Sequence, residues 1–381
     1  MNFIIFSDDW GRHPSSCEHI TTRLLENHKI IWINSIGYRS PKLNWYDLKR
    51  SISKIISWFS KVRGNTPGKS HYNLKVLSPV IIPFNSLKMI RKINKYFVNK
   101  VVFKAIKSME FKEYILLSSH PNVVDYFTDH KNALKIYYCV DDFTVMPCVD
   151  NKLIEQLEKE LISESNIILY TARKLLDKFQ NALAETYYLP HGVDNEHFSV
   201  KKPINKFPDI KKPIIGFFGL LSEWVDFDLI IKVAKIKKEW SFLFIGNSEI
   251  NTQRAIDIEN VHLVGPVPYS ELPVYASSFD VGLIPFKINK LTKAVNPLKF
   301  LEYMALGIPV VSTPLPELMQ FKDYVYFGNN TDEIISAINN ALSSLKDSQK
   351  ARRIKLANDN SWKTRSQQLL NIITNYADNN G

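Results

Sequence analysis

Cysteine is scarce: three among 381 residues, Cys17, Cys139 and Cys148. An odd number without metal-ligand spacing excludes a disulfide framework and a cysteine-based zinc site, and it points to a reducing cytoplasm. No apolar run approaches the ~20 residues that a membrane span needs. The opening MNFIIFSDDWG has no basic flank before its short apolar run, so it is expected to be a first strand rather than a leader. Acidic residues are nearly missing from one region. Between Lys42 and Lys112 sixteen Lys and Arg face only Asp47 and Glu110, a charge of +14 (16 minus 2) in a chain whose total is +11 (49 minus 38).

What fills that region is aromatic and aliphatic. LNWYDLKRSISKIISWFSKVR and NSLKMIRKINKYFVNKVVFKAIKSM interleave Trp, Phe, Ile and Val with bases in helical patterns. Such segments suit an anionic lipid surface, where each base contributes about 1 kcal/mol. A solvated basic face on core helices is the alternative. Nucleic acid is not an expected partner, because no recognition motif accompanies the charge.

At 381 residues, 45% of them hydrophobic, two packed domains are expected. FIIFS, KIIWIN, YILLSS, KIYYCVD and NIILYTA alternate with helical patterns in the first half. PIIGFFG, SFLFIGN, VHLVG, VGLIPF and IPVVST do so in the second. That alternation predicts an α/β architecture of two doubly wound, parallel-sheet domains. FSVKKPINKFPDIKKP, rich in Pro and Lys, predicts a linker over 198–213, between a first domain 1–197 and a second beginning at 214. Ligands bind beyond the carboxyl ends of such sheets, so the expected site is the cleft between the domains.

Chemistry is concentrated in NPLKFLEYMALGIPVVSTP, Asn296 to Pro314. Asn296 is expected to cap a helix with Pro297 in its first turn. Lys299 and Glu302, three apart, share one face of it. The unpaired N–H groups at the helix start suit phosphate; Lys299, with Lys293 upstream, adds formal charge, and Glu302 is placed for a ribose diol. A surface ion pair between Lys299 and Glu302 is the plainer alternative. Gly219, Gly246 and Gly265 close three strands, where they admit a ligand to the backbone or simply permit tight turns.

The order HGVDNEHF, GFFGLLSEWVDFDLIIKVA, FLFIGN, NPLKFLEYMALGIPVVSTPLPE and a terminal SWKTR helix resembles nucleotide-sugar-dependent glycosyltransferases of the GT-B fold. It is nearest to the bacterial surface-polysaccharide branch, including teichuronic-acid-type enzymes and, more distantly, xanthan-type glucuronosyltransferases. The resemblance implies two Rossmann-like domains with sheets facing an interdomain cleft. A nucleoside diphosphate sugar would be held by the C-terminal domain over 214–360, and a glycolipid or polysaccharide acceptor by the N-terminal one. The terminal helix 361–381 would cross back to the first domain. Neither metal nor cofactor is expected beside the sugar-nucleotide substrate, and the enzyme is expected to be cytoplasmic and peripheral on the inner face of the plasma membrane.

Two departures from the family pattern bear on mechanism. Many retaining members have Glu where this chain has Ala294, and many carry Arg and Lys in the loop that here is LLSEWVDFD, without a base. Lys299 is therefore the expected phosphate partner, and inversion the expected outcome. In xanthan-type enzymes the Asp matching Asp141 is the general base. Asp141 and Asp142 stand together after KIYYCV, where desolvation and a like charge raise a carboxyl pKa. Only one of two adjacent side chains can serve, and a turn or cap acid is the alternative. The first loop, SDDWGRHPSSCEHI, brings Asp9, Arg12, His13, Ser16 and His19 beside Trp10. Asp9, Arg12, His13 and His19 are expected at the acceptor, against an alternative in which Ser15 or Ser16 is an N-cap and His19 an ordinary helix residue. His120 and His191 also follow strands. A nucleotide-sugar epimerase and a catalytically silent GT-B partner subunit are the competing functions, the latter favoured by the two departures.

Overall fold

The apolar runs FIIF, IIWI, ILLS and IILY are buried throughout, as parallel strands covered by helices on both faces require. The computed structural model describes residues 1–12, 14–35, 71–82, 85–146, 150–200 and 204–380. His13, Cys148, residues 42–70 of the basic region and residues 201–203 of the expected linker lie outside the described residues.

The chain divides into two compact units, Met1–Tyr170 with Leu175–Leu189, and Thr171–Lys174 with Pro190–Gly381. In the first, Asn2–Phe6 (β1), Lys29–Ile33 (β2), Leu74–Leu77 (β3), Ile115–Ser118 (β4), Leu134–Cys139 (β5), Ile167–Tyr170 (β6) and Glu185–Tyr188 (β7) form one sheet. Its order is β3-β2-β1-β4-β5-β6-β7, and every pairing is parallel. In the second, Ile214–Phe218 (β8), Ser241–Ile245 (β9), Val261–Gly265 (β10), Val281–Ile284 (β11), Val310–Ser312 (β12) and Val325–Phe327 (β13) run in the order β10-β9-β8-β11-β12-β13, again all parallel. Both sheets are the doubly wound α/β type expected. The strands that the apolar runs did not announce, β3, β7 and β13, lie at sheet edges. There β3 and β7 are only half-buried along their length, so they have no continuous apolar run to display.

Strand order reverses between β1 and β4 in one sheet and between β8 and β11 in the other. These switch points open crevices beyond the strand ends, and they locate a candidate site in each unit.

Helix starts follow the side chains available. Ser15, not Ser16, caps Ser16–Leu24, its Oγ accepting from Glu18 N at 3.2 Å. Asp226 caps Phe227–Ile236 by accepting from Leu229 N at 3.0 Å. Before Thr331–Ser343 the arrangement is reciprocal. Asn330 Oδ1 accepts from Glu333 N at 3.0 Å, while Glu333 Oε2 accepts from Asn329 N at 2.7 Å. One N–H of the first helical turn and one of the residue before the cap are thus satisfied by two side chains. Asn330→Ala is expected to lower the unfolding free energy by about 1 kcal/mol, seen as a lower urea midpoint at unchanged m value; an unchanged midpoint would mean that the cap contributes nothing.

Candidate functional site

In the second unit, Gly219 follows β8 with φ +120° and Gly246 follows β9 with φ +137°, backbone that side-chain-bearing residues rarely adopt. They are packed as tightly as their conformation suggests. A Cβ on Gly246 would lie 2.1 Å from the carbonyl oxygen of Gly219, and a Cβ on Gly219 would lie 2.6 Å from Cε and 2.8 Å from Nζ of Lys299. Lys299 therefore reaches across the missing side chain of Gly219 to the end of β8. Its Nζ stands 5.4 Å from the ring centroid of Phe217 and 5.9 Å from that of Phe286, within reach of both aromatic faces.

Lys299 and Glu302 both rise from Leu298–Ala305, whose Phe300, Leu301, Tyr303 and Met304 are buried against the sheet. The apolar face fixes the helix, and the remaining face carries the two charges. They do not form the surface ion pair that spacing alone allowed: among the described residues Lys299 enters no salt bridge, and Glu302 accepts no side-chain hydrogen bond. Burial pulls the Lys299 ammonium below its ordinary pKa against the opposing pull of Glu302, and burial pushes Glu302 up to about 7. An anion placed at Nζ would favour the charged form of the lysine. Beside Glu302 lies Tyr269, its phenol raised by burial and then by the carboxylates of Glu302 and Asp194. The ring of His197 stacks on it at 4.2 Å and 16°. This aromatic pair has no periodic signal in the sequence, since its members are 72 residues apart.

Asn296 does not cap the helix. Pro297 takes the cap position with extended backbone, and no side chain caps. The proline holds the chain extended there, and Asn296 Nδ2 donates instead to the Thr171 carbonyl at 2.9 Å. Lys293 is exposed on the 3-10 turn Thr292–Ala294.

In the first unit, the loops after β1 and β4 meet. Ser7 Oγ and Ser119 Oγ are 2.8 Å apart, and His120 Nε2 lies 3.3 Å from Asp8 Oδ1. His120 is buried, edge-on to Phe143. The hydrogen bond with His120 holds Asp8 below the usual carboxylate range, against burial. The sequence offered His120 only as a polar residue after a strand and did not single out Asp8.

Next along the sheet, the two acids after β5 separate. Asp142 accepts from Thr144 N at 3.1 Å, from Thr144 Oγ1 at 2.6 Å and from Lys178 Nζ at 2.8 Å. It is the cap of the 3-10 turn Phe143–Val145, and although burial opposes it, the bonds from Lys178 and Thr144 hold its pKa below the usual range. The Asp141 carboxylate accepts no hydrogen bond among the described residues. Burial, then the charges of Asp142 and Asp8, push Asp141 up to about 7. A carboxyl raised to about neutral pH and a carboxylate held by hydrogen bonds thus sit side by side, divided by environment alone.

The first loop is pinned rather than open. Asp9 Oδ1 accepts from Ser35 N at 3.2 Å and Oγ at 3.0 Å, and its other oxygen lies 3.7 Å from exposed Arg12. Trp32 Nε1 donates to Asp8 O at 3.0 Å, and Trp10 meets Trp32 edge-on. His19 lies within Ser16–Leu24. His191 is buried in the second unit, its carbonyl accepting from Arg365 Nε at 3.2 Å; burial, then Arg365, pull its ring down to about 3, so it is neutral.

The 21-residue helix Lys88–Ser108 contains seven bases and no acid. Asn94, Val98, Val102 and Ala105 face inward; Arg91 grips Asp125 and Lys95 reaches Asp129, each at 2.7 Å. Met89, Ile93, Tyr96 and Phe103 are exposed on the other face, in register with Lys92, Lys100, Lys104 and Lys107. No helix among the described residues is long and apolar enough to cross a membrane. No group of three or more His, Cys, Asp or Glu among them could hold a metal ion.

Comparison with known proteins accords with this fold. Residues 212–344 match the family model of the glycosyl transferases group 1. The chain is 29% identical over 235 residues, 58% of its length, to TuaH of Bacillus subtilis (strain 168), described as a teichuronic acid biosynthesis glycosyltransferase. The chain spans 59% of that curated relative. Among solved structures it superposes on the E. coli trehalose-6-phosphate protein bound with UDP-2-fluoro glucose with a TM-score of 0.67 at 12% identity, covering 97% of this chain and 98% of that one. Anabaena Alr3699/HepE in complex with UDP and glucose gives 0.64 at 13%, covering 97% and 99%.

The Asp141 pKa carries a stability consequence. A carboxyl raised on folding contributes stability at low pH, and that contribution is lost as pH rises through about 7. Asp141→Asn is therefore expected to gain stability over the parent as pH goes from about 5 to 8, by roughly 2 kcal/mol. Urea unfolding at the two pH values measures it, and a pH-independent difference would show that Asp141 is not strained.

Proposed function

For a chain of GT-B fold whose residues 212–344 match the family model of the glycosyl transferases group 1, we propose a glycosyltransferase that moves a sugar from a nucleoside diphosphate sugar to a lipid-linked or polysaccharide acceptor in surface-glycan synthesis, with inversion. The observation that carries this reading is the Lys299 ammonium at the end of β8, in no salt bridge among the described residues and beside a loop, LLSEWVDFD, without a base. Its charge meets the diphosphate, with the uncapped N–H groups of Leu298–Ala305 beside it and Glu302 toward the ribose. UDP bound to two structural neighbours makes uridine the first nucleotide to test.

Asp141 is the base. Its carboxylate takes the proton of the acceptor hydroxyl as that oxygen bonds to the anomeric carbon. The bond from that carbon to the diphosphate oxygen breaks, and its electron pair leaves with the nucleoside diphosphate. A carboxylate with a pKa near 7 is half ionised at cytoplasmic pH and still basic enough to accept the proton. The lysine stabilises the leaving group, so no metal ion is assigned to that role.

Two substitutions separate the roles. Asp141→Asn is expected to cut kcat at least ~100-fold with the donor KM little changed, while Lys299→Ala weakens donor binding at least ~10-fold. Both are read in a transfer assay with the donor that a thermal-shift screen of UDP-, GDP- and dTDP-sugars selects. Retained turnover in the first variant removes Asp141 as base; unchanged affinity in the second removes Lys299 from the diphosphate.

The outward face of Lys88–Ser108 is proposed to dock on the anionic inner face of the plasma membrane, aromatics at the headgroups and lysines over the phosphates. The protein is expected to float with vesicles containing phosphatidylglycerol and not with phosphatidylcholine vesicles. Lys100→Glu with Lys104→Glu should abolish flotation; binding that persists in this variant overturns the assignment.

A further inference from the structure

Behind Asp141 lies a charge cluster that the proposed transfer does not use. Lys178, which ends the 3-10 turn Arg173–Lys178, places Nζ 2.8 Å from Asp142 Oδ1 and 2.6 Å from Glu158 Oε2. Glu158 comes from the helix Asn151–Glu164, is almost fully buried, and accepts from Tyr137 Oη on β5 at 2.7 Å. Three elements beside the end of β5 are thus joined through one ammonium.

We propose that Lys178 is a positioning residue for Asp141: by clamping Asp142 to Glu158 it withdraws Asp142 from the strand end and leaves Asp141, among the described residues, the one unengaged carboxylate there. The inference rests on Asp141 being the base. The argument is one of competition between neighbours. Two adjacent carboxylates near the same partly desolvated strand end share a proton when neither has a partner, and the shared proton then belongs to the pair. Here Asp142 already has three hydrogen bonds, two from Thr144 and one from Lys178. It is satisfied without Asp141, and Asp141 is left to exchange its proton with what lies beyond the strand. The other charges in the neighbourhood do not replace Lys178. Asp8 is held by His120, and Glu158 is acidic and already bonded to Tyr137. Cys139, buried on β5, has its thiol pushed well above its ordinary range by burial, then by Glu158, so it brings no competing charge at neutral pH. Without Lys178, Asp142 and Glu158 lose their shared cation, and Asp142 gains reason to bond to a protonated Asp141.

Carboxyl carbon NMR on the full chain labelled at aspartate tests this without any substrate, Asp141→Asn assigning the resonance. In the parent, Asp141 is expected to titrate near 7. In Lys178→Met its midpoint should move upward by about one pH unit, and in Lys178→Arg it should return to the parent value. The ascending limb of kcat should follow the same shifts with the donor KM unchanged. Thr144→Val, which removes only one of the bonds to Asp142, should move the midpoint in the same direction by less, and it decides the matter if Lys178→Met does not fold. A folded Lys178→Met, or Thr144→Val in its place, with a parental titration overturns the positioning role while leaving Asp141 as base. Turnover retained in Asp141→Asn overturns the base assignment itself, whatever the titrations show.

Discussion

Charge removed from water at the carboxyl end of a parallel strand is the constraint on which the candidate site depends. Lys299 extends over the bare backbone of Gly219, between the faces of Phe217 and Phe286, with no carboxylate at ion-pairing distance among the described residues. Such an ammonium costs free energy, because the rings return only part of the lost hydration. The fold sustains that cost through the packing of Leu298–Ala305, whose apolar face is locked into the sheet. Gly219 and Gly246 are part of the same device: any side chain at either would expel the lysine or separate the two strand-end loops.

The first unit applies the same physics with opposite sign. Asp141 is an acid kept partly from water beside two other acids, so its proton is held to about neutral pH. Its neighbour Asp142 has the same backbone neighbourhood and the opposite outcome, because Thr144 and Lys178 reach it. A residue number apart, one carboxylate is held by three hydrogen bonds and the other accepts none among the described residues. The Asp8–His120 pair at the β1/β4 switch point adds a third polar group on the same edge of the sheet. The Asp8–His120 pair lies where strand order reverses, and the two aspartates follow β5, one strand further along the sheet.

Much of this was legible in the chain itself, and for physical reasons. A strand buried on both faces must be apolar without interruption, so the central strands declared themselves while half-buried β3 and β7 did not. A base and an acid three apart share a helix face whatever the surroundings, so Lys299 and Glu302 could be named together, and Asp141 and Asp142 could be named as a pair of which one alone would serve. Local rules failed where a distant partner competed. Asn296 has a cap residue's chemistry, yet Pro297 and the Thr171 carbonyl took it elsewhere.

The sequence by itself determined the α/β class, the doubly wound sheets and the helix that presents Lys299, because periodicity and burial are properties of neighbouring residues. Only the tertiary structure decided that Lys299 and Glu302 stand apart, that Asp142 is held by Lys178 while the Asp141 carboxylate accepts no hydrogen bond among the described residues, and that Asp8 belongs to His120. Each of those outcomes turns on a contact between residues far apart in the chain, where a few ångströms settle whether a charge is paired, and no local pattern encodes that distance.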